Sequence, residues 1–127
     1  MQMQGSNETA EFGAAFAQCT RPAAVFADAG GYVRFWNAGA ERLFGHTSSE
    51  AIGQRADLIV PASLREAHWS GFNRAFVSSS WRGSQDWSSV PALHRNGEEI
   101  TLEVFLFPIQ QENGSFVGVL ALFRNPA

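Results

Sequence analysis

"HRNGEEITLEVFLFPIQQENGSFVGVLALFRN", residues 94–125, decides the fold. Two apolar runs, 98–109 and 115–124, are separated by "QENG" and preceded by "RNG", both turn signals in which Gly supplies the positive φ of a tight connection. In the first run Ile100, Leu102, Val104 and Leu106 alternate with Thr101, Glu103, Phe105 and Phe107. One face of that strand is therefore apolar throughout, and the other turns apolar only toward its end. The second run, "FVGVLALF", is apolar on both faces, so its outer face needs a cover of its own, either an N-terminal helix or another subunit. With "WSSVPALH" (87–94) ahead of them, these runs predict a three-stranded antiparallel meander.

Upstream, "AAVFAD" (23–28) and "YVRFWN" (32–37) are short β-type runs joined by "AGG", which predicts a hairpin. Asn37 is a good N-cap for "AGAERLF", Gly45 a good helix terminator, and Thr47 with Glu50 three residues later forms a capping-box pattern. Two short helices follow from these signals. Pro61 closes "LIV", and from Ala62 to about Val77 residues Leu64, His68, Phe72 and Phe76 keep a fourfold rhythm, which predicts a longer helix with His68 on or beside its apolar stripe. The run 78–86, "SSSWRGSQD", reads as a turn. At the start, Phe12, Ala15, Phe16 and Cys19 fall at helical spacing, so residues 1–19 read as an amphipathic helix capping a domain over 20–125, with Cys19 as a small buried hydrophobe of that helix. The sum is an α+β fold: a five-stranded antiparallel sheet with short helices on one face.

Composition narrows the function. A chain of 127 residues, 45% hydrophobic, holds one domain with a real core. A net charge of −3 with scattered arginines, and no lysine at all, argues against a nucleic-acid surface or a phosphate-cradling P-loop. The single cysteine excludes a disulfide framework or a cysteine-based zinc site. No signal pattern opens the chain, and no apolar run reaches the roughly 18 residues of a membrane span. The expectation is a soluble, cytoplasmic, non-enzymatic domain. His46, after a cap, and His94, before a turn, are read as solvent-exposed, which leaves His68 as the histidine of interest.

"DAGGYVRFWNAGAERLFGHTSSEAIGQ" (28–54), then "LIVP" (58–61), then the meander sequence resemble a PAS sensor domain over about residues 20–125, through Trp36-Asn37, the "AERLFG" helix, the Asn96-Gly97 turn and Gly118 in the last strand. The resemblance implies a small cytoplasmic module that senses a ligand held between sheet and helices, or dimerises, and passes a change to an output domain. Within that family, "LIVPASLREAHWSGF" (58–72) resembles the central helix of the haem-binding sensors of the FixL and Dos type. That resemblance implies haem b with His68 as the proximal, metal-binding residue. It also implies that Arg74 meets a haem propionate, that Leu64 and Phe72 are cofactor contacts, and that Val104 and Leu106 line the distal side. A neutral imidazole is a good iron ligand whose second nitrogen wants an acceptor to fix its tautomer.

Two positions depart from that pattern. Ser88 stands where these sensors carry a ligand-binding arginine, and Asp86 where the Dos type has a distal methionine, so Trp81 or Trp87 could close the pocket instead. A flavin photosensor of the LOV type would need its cysteine on the helix before the central one, and Cys19 is far from there. Two readings stay open: a haem-based gas or redox sensor, or a cofactor-free PAS module that dimerises or binds a small metabolite. Either form would associate as a homodimer through the outer sheet face and the N-terminal helix, with Phe12, Phe16, Phe105 and Phe107 in contact.

Overall fold

The computed structural model describes residues 2–78 and 81–126 of the chain. Its elements are α1 (Gln2–Gln18), β1 (Ala23–Asp28), β2 (Val33–Trp36), α2 (Ala38–Phe44), α3 (Ser48–Ala51), α4 (Arg65–Ser78), β3 (Ser88–Leu93), β4 (Glu99–Gln110) and β5 (Phe116–Arg124). Two 3-10 turns, Ala56–Ile59 and Ala62–Leu64, lead into α4, so the helix foreseen from Ala62 begins with a tighter first turn after Pro61. Of the run 78–86 read as a turn, residues 79–80 lie outside the described residues. Among the described residues no helix is long and apolar enough to cross a membrane.

The five strands form one antiparallel sheet in the order β2-β1-β5-β4-β3. The hairpin and the meander thus join through β1 and β5, the chain's first and last strands. This central place explains why β5 is apolar on both faces. Register puts Val25, Ala121 and Leu106 in one row across β1, β5 and β4, and Phe123 beside Val104 in the next. These residues face the helices, where Leu102 (1% exposed), Val104 and Phe123 meet Phe44 of α2 in the core. On the other face the register aligns Phe35, Phe26, Leu120 and Phe107. Gly118 is needed where β5 passes β1, because a Cβ there would overlap the Ala27 carbonyl oxygen and lie 2.6 Å from the Phe26 ring.

The caps form as their residue types dictate. Asn37 Oδ1 accepts from the Ala40 amide at 3.0 Å, and Gly45 ends α2 at φ +85° with its amide donating to Glu41 O. Thr47 and Glu50 complete a reciprocal capping box. Helix α1 lies against the outer face: Phe16 stacks on Phe35 at 5.3 Å, with Phe12 on Phe16 at 5.7 Å. It covers the β1–β2 end, and Phe12 and Phe16 share an outer groove with Leu120 of β5 and Ile109 of β4. Phe12 is 68% exposed, and at the far end Phe107 is 40% exposed beside Phe105 and Trp87. Cys19 corrects the sequence reading: it falls one residue past the end of α1 and is exposed, its carbonyl accepting from the Gly39 amide at 2.9 Å.

Candidate functional site

Helix α4 presents two neighbouring columns to the sheet. His68 and Phe72 form one, continued back by Leu64 of the preceding 3-10 turn, and residues 67, 71 and 75 form the other, at the i, i+4 spacing that stacks side chains on one face. The second column is Ala67, Gly71 and Ala75, and the sheet answers it with Ala27, Ala92 and Ala121. Small residues on both walls leave the space between helix and sheet unfilled. The result is a cavity of about 780 Å³, within the range of small-molecule sites.

His68, Leu64, Phe72, Arg74, Val104 and Leu106 all line this one cavity. Ser88 does not: it stands opposite Val104 in the edge strand β3, exposed, and outside the lining. Asp86 is also exposed, and Trp87 turns to the outer face, where its ring meets Phe105 at 5.7 Å under the Arg124 guanidinium. Trp81 is the tryptophan that reaches the cavity. The wall formed by β1, β4 and β5 is wholly apolar, so His68 and Arg74 bring the charge-bearing chemistry, both from α4.

His68 is half-buried. Its Nδ1 is fully buried without a hydrogen-bond partner, and Nε2, which also makes no protein hydrogen bond among the described residues, keeps accessible surface. Burial pushes the imidazole's pKa below the ordinary value, opposed in part by the Asp57 carboxylate. His68 is thus held in the neutral form, the form that ligates a metal. Arg74 is exposed and makes no ion pair among the described residues, which frees its guanidinium for an anionic group at the cavity.

His46 and His94 correct the sequence reading, since both are half-buried. His46 lies edge-on to Trp36 at 6.2 Å and burial lowers its pKa, while His94 Nδ1 accepts from the Asn96 amide at 3.1 Å. The depressed values of His46 and His68 set a pH dependence. In the unfolded chain both titrate near 6.5, so below that pH the unfolded state binds more protons than the folded one. The stability held by the neutral rings is whole above 6.5 and is lost as pH falls through the lower folded values. Asp28 and Glu50, whose pKa values are lowered from 3.8 and 4.5, lose their contributions only in more acid solution. Urea unfolding between pH 7.5 and 5 should therefore show a falling midpoint, and His68→Phe should flatten part of the fall; an unchanged slope in that variant would contradict the burial described here.

The PAS-fold family model matches residues 16–126, and the chain belongs to the PAS family, a family of sensory domains. Among solved structures it is similar to the PAS domain of a protein from Colwellia psychrerythraea, at 27% identity and a TM-score of 0.76 over 93% of this chain and 96% of that one. The PAS domain of an HTR-like protein from Haloarcula marismortui aligns at 19% identity and TM-score 0.68, covering 98% and 97%. The LOV protein of Rhodobacter sphaeroides aligns at 15% and 0.72, covering 93% of this chain and 66% of that one, a likeness of fold alone. No curated protein matches the sequence.

Sequence reasoning missed the residues on the far side of His68: Trp69, Arg55, Asp57 and Gly31. The small-residue column 67, 71, 75 was the legible sign that α4 faces a cavity.

Proposed function

We propose that this PAS domain would hold haem b between α4 and the sheet through His68, and that it senses a diatomic gas or a redox change in a cytoplasmic signalling protein. The observation that carries the reading is a neutral histidine with an unengaged Nε2 in an apolar cavity between helix and sheet. Among the described residues no three His, Cys, Asp or Glu side chains gather to hold a bare ion, so a single imidazole suits a metal whose other ligands come with a prosthetic group. Bound haem would supply an iron centre able to take a gas or change oxidation state. His68 would hold that centre from α4, Arg74 would engage a carboxylate at the rim, Leu64 and Phe72 would pack beside His68, and Val104 and Leu106 would keep water from the opposite side. Ser88 would take no part, being outside the lining. The domain itself would do no chemistry, passing a shift of α4 to an attached or partner output domain.

The buried Nδ1 without an acceptor favours a second reading, since ligating histidines usually donate that N–H. In it the cavity takes a small apolar metabolite and His68 is no ligand. Rescue separates the two. Haemin should give the wild type a protein-bound Soret band that His68→Gly lacks and that exogenous imidazole restores to the gel-filtered variant; a wild type that retains no haemin would favour the metabolite reading.

The proposal includes a homodimer through the outer face, with Phe12 and Phe16 of α1 and Phe105 and Phe107 of β4 in contact. Support comes from the exposure of Phe12 and Phe107 on a face whose opposite end α1 already covers. Phe105→Ser with Phe107→Ser should weaken self-association by about 2 kcal/mol or more in sedimentation equilibrium, the scale of a central aromatic anchor. An unchanged dimer constant would move the interface elsewhere.

A further inference from the structure

Among the described residues neither ring nitrogen of His68 makes a hydrogen bond, and ring contacts orient the imidazole instead. Its imidazole meets the Trp69 indole edge-on at 4.8 Å, and the same indole meets Phe72 at 5.3 Å. Trp69 is outside the cavity lining, behind His68. Three further contacts hold it there. Indole Nε1 donates to Asp57 Oδ2 at 3.1 Å, and the Arg55 guanidinium lies 4.3 Å over the indole and 5.5 Å from the Tyr32 ring. Against Gly31, in the β1–β2 turn, the fit has no slack: at φ +86° a Cβ would sit 2.6 Å from indole Cη2 and Cζ3. That turn is tied to the segment carrying Arg55 by Ala56 N–H to Gly31 O at 2.8 Å and Val33 N–H to Gln54 O at 2.8 Å.

We propose that Trp69 is a positioning residue: by ring contact it fixes the orientation of His68 that other proteins fix by a hydrogen bond, and it carries any displacement of that ring to Gly31 at the tip of the β1–β2 hairpin. The proposal rests on the reading of His68 as the group that engages the ligand. Its physical basis is close packing. An indole held by a cation, a carboxylate and a glycine backbone cannot yield to a moving imidazole without shifting one of them, and the glycine backbone is the contact with the least room.

The test reads Gly31 by NMR, because an aromatic ring against a glycine displaces its Hα resonances by its ring current. In the isotope-labelled chain those resonances should be displaced from ordinary glycine values in the wild type, largely so in Trp69→Phe and returned to ordinary values in Trp69→Leu. His68→Ala, in the free protein, should shift them without altering the core resonances of Leu102; an unmoved Gly31 in that variant would overturn the coupling whatever the ligand. Zinc protoporphyrin, diamagnetic and able to take one axial imidazole, is the probe for the bound form. Its binding should move Gly31 in step with saturation and weaken about tenfold to a hundredfold in Trp69→Leu, the usual cost of losing a ligand's support. Binding that leaves Gly31 fixed would overturn Trp69's part, whereas failure of the porphyrin to bind would overturn the role given to His68 and leave the free-protein comparison to decide the coupling.

Discussion

Asn37→Ala is expected to destabilise the domain by about 3–5 kcal/mol, a large share of the roughly 5–15 kcal/mol that holds a domain of this size. The side chain is 0% exposed and does three things at once. Oδ1 accepts from the Ala40 amide, capping α2, and from the Ala24 amide of β1 at 2.8 Å, while Nδ2 donates to Pro22 O at 3.0 Å. Losing the cap alone costs about 1 kcal/mol. Leaving the buried Ala24 amide without a partner adds about 1–3 kcal/mol, and losing the bond to the part-buried Pro22 carbonyl about 1 kcal/mol more. Urea denaturation followed by far-ultraviolet circular dichroism measures the sum, and a loss under about 1 kcal/mol would mean that water reaches these groups.

The second large effect is on binding rather than stability. Ala121 is in the middle of β5, in register with Val25 and Leu106, and its methyl faces the cavity. Ala121→Phe adds a ring to open space, so the overpacking that ordinarily costs about 1–3 kcal/mol should be mostly absent. Haem or any ligand of comparable size should then lose more than about a hundredfold in affinity, since a filled slot leaves the incoming group a steric clash in place of apolar contact worth about 25 cal/mol per Å². Thermal unfolding with a haemin titration on one sample separates the effects. A folded Ala121→Phe protein that binds as the wild type does would put the ligand site outside this cavity.

The fold was legible because its signals are local. Alternation along Ile100–Phe107, the glycine turns and the caps at Asn37 and Thr47 each fix a few residues by short-range rules, and all point to one arrangement. The central place of β5 was visible only indirectly, through a strand apolar on both faces. What the sequence hid is long-range. Nothing in the spacing of Asn37 reveals that it bonds Ala24 and Pro22, 13 and 15 residues away. Cys19 fitted the helical rhythm, but the helix ends one residue before it. His46 and His94 sit beside turns yet are half-buried, because each packs against another part of the chain: His46 on Trp36, His94 against Gly45. The six expected residues that line the cavity, on α4, the turn before it and β4, were reached through the resemblance and through helical and strand periodicity. Ser88 was placed by the same resemblance, but the sheet edge turns it out of the cavity. Trp69 escaped notice since its partners come from three separate segments.

The most direct measurement is an absorption titration of the purified chain with haemin, run beside His68→Ala. The expected result is a Soret band that saturates at equimolar haem in the wild type and does not form in the variant, whose circular dichroism stays that of the folded domain. A wild-type chain that takes up no haem, or a His68→Ala chain that takes it up equally well, would contradict the role assigned to His68.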